Sequence, residues 1–151
     1  MKSITALFCC ILLIATCSLS PAFADEAVIG SIKNTQGSAY IVRNGSNVAA
    51  TKGFRLLQND ILLTEDDSSM GVILRDDTLI SLGPNTKIAI DEFKFAPAKG
   101  ELSILTRMTR GIITYISGQI TKLSPESARF ETPTSTIGVR GTKFLVKVDG
   151  P

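Results

Sequence analysis

Short apolar runs separated by turn residues recur about every eight to twelve positions from Asp25 onward, a spacing typical of an all-β domain. No stretch has a convincing run of apolar residues at the three- and four-residue spacing of an amphipathic helix. Residues 119–127 are predicted to be an irregular connection. Strands are predicted at residues 28–32, 39–43, 54–57, 61–64, 70–75, 78–82, 87–90, 102–105, 112–116, 128–132 and 143–148.

Many of these runs carry apolar residues at both odd and even positions, which favours strands that are covered on both faces. The last strand instead alternates regularly, with Phe144, Val146 and Val148 on one face. We predict a compact single domain of short, mostly antiparallel strands. Periodicity leaves three arrangements open, a sandwich, a roll or a short β-solenoid, since it carries no information on strand pairing.

Asn44-Gly45 predicts a hairpin, because both residue types tolerate the positive φ angles of a two-residue turn.

The N-terminus has the pattern of a secretory signal peptide. Lys2 precedes an apolar segment at residues 6–15, which is shorter than the about 20 residues of a membrane-spanning helix. The small residues Ala22 and Ala24 favour cleavage after Ala24, so residues 1–24 are predicted to be the leader and residues 25–151 the domain. An alternative is a lipoprotein acylated at Cys17, although threonine before the cysteine is unusual there.

Composition limits the chemistry of the predicted mature chain. All three cysteines lie in the leader and there is no histidine, so Ser-His-Asp and Cys-His catalytic systems and the usual zinc sites are excluded. We predict no enzymatic activity and no cofactor. With 16 basic and 14 acidic residues, the chain has no charge excess that would indicate nucleic acid as a partner.

One candidate site lies near the C-terminus, in a stretch where two glycines bracket Val-Arg. Gly138, Gly141 and Thr142 could approach an anion with their backbone while Arg140 donates hydrogen bonds. The favoured alternative is structural: the glycines supply positive φ or close packing at a bend, Thr142 ties the turn to its own backbone, and Arg140 pairs with an internal carboxylate such as Glu131.

A second candidate is the acidic run at residues 65–67, whose oxygens could bind calcium together with Ser68. The run lacks the alternating acidic spacing of a calcium loop, so an ordinary turn is favoured and no metal is predicted. Asp76 and Asp77 are interpreted as a hairpin turn.

Several segments together resemble the FecR protein domain, a periplasmic all-β module of Gram-negative bacteria, over about residues 58–148. They are Asn59 to Thr64, Leu74 to Thr78, Gly111 to Gly118, Glu131 to Pro133, Ile137 to Thr142 and Phe144 to Val146. The family's namesake has a cytoplasmic segment and a membrane-spanning helix, whereas this chain has a predicted cleavable leader, so regulation of a sigma factor is not implied. In the family, further strands commonly follow the position of Val148.

The resemblance and the missing catalytic residue types predict an exported, non-enzymatic module that acts through an unknown periplasmic or cell-envelope protein, with signalling as one role. The C-terminal edge is the predicted contact, made with a partner protein or another copy of the chain. No membrane span is predicted. The alternative function is a small-molecule or metal-binding periplasmic module.

Overall fold

The computed structural model describes residues 27–141 and 143–150, which form twelve strands, one short α-helix and two 3-10 turns. The predicted leader and Thr142 lie outside the described residues. The strands are β1 (Val28–Gln36), β2 (Ala39–Arg43), β3 (Ser46–Ala49), β4 (Arg55–Leu57), β5 (Ile61–Thr64), β6 (Ser69–Leu74), β7 (Leu79–Leu82), β8 (Lys87–Ala96), β9 (Glu101–Ile116), β10 (Ala128–Glu131), β11 (Thr136–Gly138) and β12 (Lys143–Val148). The helix is α1 (Gln119–Leu123), and the 3-10 turns are Pro97–Lys99 and Pro125–Ser127.

The strands form one curled sheet whose two halves share the long strand β9. Half A contains β4, β1, β6, β7 and β12, and half B contains β3, β2, β5, β8, β10 and β11. Every pairing is antiparallel except that of β10 with β9. The all-β prediction is confirmed, and among the three arrangements left open the structure is nearest to a roll, a half-barrel with an open side.

Both halves bury one face in a single hydrophobic core. Ile41 and Leu62 from half B and Ile80 from half A are fully buried. The expectation that both faces of the strands are covered is wrong: in β5 the inward Leu62 is buried, whereas the outward Ile61 and Leu63 keep part of their surface in water. Aliphatic residues at outward positions therefore do not indicate a second covering layer here.

Strand β9 passes from one half to the other at Gly111, where the backbone has φ 103°. A Cβ atom at this position would lie 2.4 Å from the Cα atom of Thr86, so only glycine allows the strands to approach this closely. The Thr86 hydroxyl accepts a hydrogen bond from the Ile112 amide at 3.0 Å. The bend allows the first part of β9 to pair with β8 and β10, and the second part to pair with β7 and β12.

The expectation that the chain has no helix is wrong at α1. A buried carboxylate from the β6–β7 turn holds the start of this helix: the Ile120 amide donates to the Asp76 side chain at 3.4 Å, and the Gln119 amide donates to the Asp76 carbonyl at 2.7 Å. Five residues are too few to produce a visible helical periodicity, so the sequence pattern did not reveal α1. It is the one α-helix of the described residues, far shorter than a bilayer crossing requires.

The predicted hairpin is confirmed, with Asn44 at φ 51° and Gly45 at φ 77° between β2 and β3. The alternation of the last strand is also confirmed. Phe144 turns inward and stacks on Tyr115, with ring centroids 4.9 Å apart.

Candidate functional site

The predicted site at residues 138–141 is an exposed corner between β11 in half B and β12 in half A. Gly138, Arg140 and Gly141 are exposed, and only Val139 turns into the core. The Ser117 hydroxyl donates a hydrogen bond to the Gly141 carbonyl at 2.6 Å, which attaches the corner to the end of β9. Thr142 lies outside the described residues, so its predicted role in the turn stays a prediction.

The expected reason for the two glycines is wrong. Neither Gly138 nor Gly141 has a backbone in the left-handed region, and a Cβ atom would meet no other atom within 4 Å at either position. Close packing and positive φ are needed at Gly111 instead, where β9 bends.

The expected ion pair between Arg140 and Glu131 is also wrong. Glu131 is bound by Arg107, whose Nε lies 3.3 Å from the Glu131 carboxylate and whose Nη1 lies 3.2 Å from Asp91. Arg140 acts electrostatically on Glu126 instead. The pKa of Glu126 is lowered mainly by hydrogen bonds from the Ser124 hydroxyl and from its own backbone, and the charge of Arg140 contributes less.

Asp60 is buried in the β4–β5 turn. Arg43 donates two hydrogen bonds to its carboxylate, at 2.8 Å and 2.7 Å, and the Leu57 amide donates a third at 2.8 Å. The guanidinium of Arg43 also lies 5.2 Å from the centre of the Phe54 ring. All of these partners are internal, so Asp60 fixes the turn to β2.

The predicted hairpin turn at Asp76 and Asp77 is confirmed between β6 and β7. Asp76 is fully buried there and has a structural role that the turn alone does not require. Its carboxylate accepts hydrogen bonds from the Thr78 amide at 3.1 Å and the Thr78 hydroxyl at 2.8 Å, besides the bond from α1. Tyr115 lies in the same region, and burial raises its pKa far above the usual value while the hydrogen bond with Thr78 opposes this shift. A tyrosine in this state does not act as a proton donor near neutral pH.

The acidic turn at residues 65–67 is held by internal hydrogen bonds. The Ser68 hydroxyl donates to the Asp66 carbonyl at 3.0 Å and accepts from the Ser38 amide at 2.8 Å, while Asn85 donates to the Asp66 carboxylate. No cluster of three or more potential metal-ligating side chains occurs in the part of the chain that the structure describes.

The remaining candidate is the C-terminal edge, formed by β12. This strand pairs with β9 on one side and has no partner strand on its other side among residues 27–141 and 143–150. Its outward side chains are Lys143, Leu145 and Lys147, and Leu145 is 63% exposed. A groove of about 390 Å³ lies beside this strand, lined by Val146, Lys147, Val148 and Asp149 on one side and by Ile137 and the turn at residues 132–135 on the other.

The family model of the FecR protein matches residues 60–151, from the buried Asp60 to the open edge. The chain belongs to the FecR family. Comparisons with curated proteins and with solved structures found no match.

The FecR region does not build the curled sheet alone. Strands β1 to β4 precede it, and β1 pairs with β6 while β2 pairs with β5, so both halves of the sheet include strands from outside the matched residues. Within the match, Asp60 and Asp76 are structural residues, and β12 is the longer of two strands, β11 and β12, that pair on one side only among the described residues. The sequence predicted both the Arg140 corner and the C-terminal edge, and the Lys-Leu-Lys alternation at residues 143–147 lies on that edge.

Alanine substitutions distinguish glycines that the backbone requires from those it does not. Gly45→Ala is expected to lower the free energy of unfolding by about 1 kcal/mol, because alanine is strained at φ 77°. Gly138→Ala and Gly141→Ala are expected to change it by less than about 0.5 kcal/mol, since space around both is open. Urea denaturation measures all three, and a large loss at Gly138 would restore the idea that this corner needs glycine.

Proposed function

We propose that this chain is an exported, non-enzymatic FecR module of the bacterial periplasm that acts in signalling by binding a protein of the cell envelope. The observation that carries the proposal is the open edge of β12, which displays unpaired backbone groups beside a groove of mixed aliphatic and polar lining. Lysines on an edge strand discourage nonspecific pairing, so Lys143 and Lys147 leave this edge to a partner that complements their charge.

The absence of catalysis is supported by how the chain uses its reactive groups. It has no histidine, and the buried carboxylates of Asp60 and Asp76 are occupied by internal hydrogen bonds. Export is supported by the leader pattern at residues 1–24.

Export is tested by expressing the full chain with a C-terminal tag and sequencing the N-terminus of the periplasmic product. We expect a mature chain that begins at Asp25 and is unchanged by Cys17→Ala. A product that begins at Cys17 and moves to the membrane fraction would instead establish the lipoprotein alternative.

Binding is tested by a photo-crosslinking residue placed at Leu145 in living cells. Val48 is the matched control, because it is also an exposed aliphatic residue on a strand at an edge of the sheet, in β3. We expect a discrete adduct with one envelope protein from position 145 and none from position 48. Equal labelling from both positions, or no adduct from 145, would contradict the proposal.

A further inference from the structure

We infer that β12 binds its partner by strand addition, and that the partner is an extended segment in which aliphatic and acidic residues alternate. The inference rests on the proposed binding function and specifies how the same edge recognises its partner.

The backbone of β12 supports strand addition. In an antiparallel pair, alternate residues direct their N–H and C=O groups toward the paired strand and the others direct them away. The six residues of β12 pair with β9 from Lys143 opposite Ile116 to Val148 opposite Gly111. About half of its backbone polar groups therefore point away from β9, to where an added strand would lie.

The groove determines the inward side chains of the partner. Ile137, Val146 and Val148 present aliphatic surface to this space, Lys147 and Asp149 also line it, and the turn at residues 132–135 limits it on the far side. Every second side chain of a strand added beside β12 would point into the groove. Burial of aliphatic side chains there is favourable, whereas an uncompensated charge would be costly.

The outward face of β12 determines the partner's other side chains, those that point away from the groove. Lys143 and Lys147 flank Leu145, and their neighbours on β9 are Ile116 and Ile112, which cannot neutralise them. The one carboxylate paired with them in the described residues is Asp149, which lies 3.3 Å from Lys147 and is 89% exposed, so this contact is strongly screened. Acidic side chains on an added strand would lie directly beside both lysines.

The other half of the sheet shows a different arrangement of charge. On the outward face of half B, Arg107 is bound by Asp91 on β8 and by Glu131 on β10, so its charge is balanced by both neighbouring strands. At β12 the outer neighbour that would balance the lysines is missing from the described residues. Charge complementarity thus favours an acidic partner strand.

A second copy of the chain is a poorer fit. In a symmetric antiparallel pair centred on Leu145, which aligns residues 143–147 of the two copies, Lys143 of each copy lies opposite Lys147 of the other. Like charges directly opposite each other destabilise a strand pair. The alternation of Lys143, Leu145 and Lys147 therefore favours a different chain with the opposite charge.

The test uses a synthetic peptide of alternating valine and glutamate, slightly longer than β12, with binding followed by fluorescence anisotropy at moderate salt. A peptide with lysine in place of every glutamate is the first control. A glutamate peptide whose edge-facing amides are N-methylated is the second. We expect the glutamate peptide to bind at least about tenfold more tightly than either control, since two charge pairs and several backbone hydrogen bonds are at stake.

A charge-reversed protein completes the test. Lys143→Glu/Lys147→Glu is expected to reverse the preference between the two peptides, whereas Lys94→Glu/Lys99→Glu, with the same change in net charge at the other end of the sheet, is expected to keep it. Both variants replace exposed side chains, and circular dichroism checks that they fold. Retained preference in the first variant would overturn the inference.

Other occupants give different results. A dimer in sedimentation that Leu145→Asp dissociates would assign the edge to a second copy. Binding to phosphatidylglycerol vesicles without binding to the glutamate peptide would assign it to an anionic membrane. Either result, or equal binding of all peptides, overturns the inference. A specific crosslink from position 145 without peptide binding would contradict strand addition but would still support the proposed function.

Discussion

Asp76→Asn is expected to lower the free energy of unfolding by about 2 to 4 kcal/mol. The wild-type carboxylate is fully buried and accepts hydrogen bonds from the Thr78 amide, the Thr78 hydroxyl and the Ile120 amide. An asparagine keeps the shape but turns an NH₂ group toward one set of these donors, so at least one buried donor loses its partner. Urea denaturation of the purified protein measures the loss.

Asp77→Asn is the matched control, because the same chemical change occurs one residue away on the surface. Asp77 has φ 67°, which asparagine tolerates, and its carboxylate accepts a hydrogen bond from the exposed Gln119 side chain. Its expected change is within about 0.5 kcal/mol. Equal losses in the two variants would show that the buried network around Asp76 contributes little.

The same network connects stability to the proposed function. Asp76 holds the start of α1, and α1 begins the connection from β9 to β10, β11 and β12. The Gly118 amide donates to the Thr78 hydroxyl at 3.1 Å and so fixes the exit of β9 to the same turn. Loss of this anchor is expected to loosen the segment that positions the open edge before it unfolds the rest of the sheet.

Local features of the fold could be predicted from the sequence because neighbouring residues determine them. Asn44-Gly45 specifies its turn without help from the rest of the chain, and the alternation at residues 143–148 follows from the geometry of a strand. The FecR resemblance was visible for the same reason, since its motifs are turns and strand ends.

Features that depend on distant contacts could not be predicted. The helix α1 depends on a carboxylate 44 residues earlier in the chain, and the bend of β9 depends on how closely Thr86 approaches Gly111. The conspicuous stretch around Arg140 suggested either a site or a tightly packed corner, but its glycines are open and its arginine is exposed. The C-terminal edge was predicted from the family resemblance alone, since residue patterns do not report strand pairing.

Breaking the ion pair between Arg43 and Asp60 is expected to have the largest effect of all, and the two members should differ. Asp60 is 1% exposed and the side chain of Arg43 is 28% exposed. Arg43→Met leaves the buried carboxylate with one hydrogen-bond donor among the described residues, the Leu57 amide, which should cost about 3 to 5 kcal/mol. Asp60→Ala leaves a cation that can reach water, so its cost should be smaller, about 2 to 3 kcal/mol.

A double-mutant cycle tests this explanation. The combined Arg43→Met/Asp60→Ala variant removes both charges, so its loss should fall short of the sum of the single losses by at least about 1 kcal/mol. Glu131→Ala is the control, because its pair with Arg107 is largely exposed and should be worth less than about 1 kcal/mol. Urea denaturation of the four proteins gives the coupling energy. Additive losses, or a greater loss in Asp60→Ala than in Arg43→Met, would mean that Asp60 acts by filling space in the turn and that its charge is incidental.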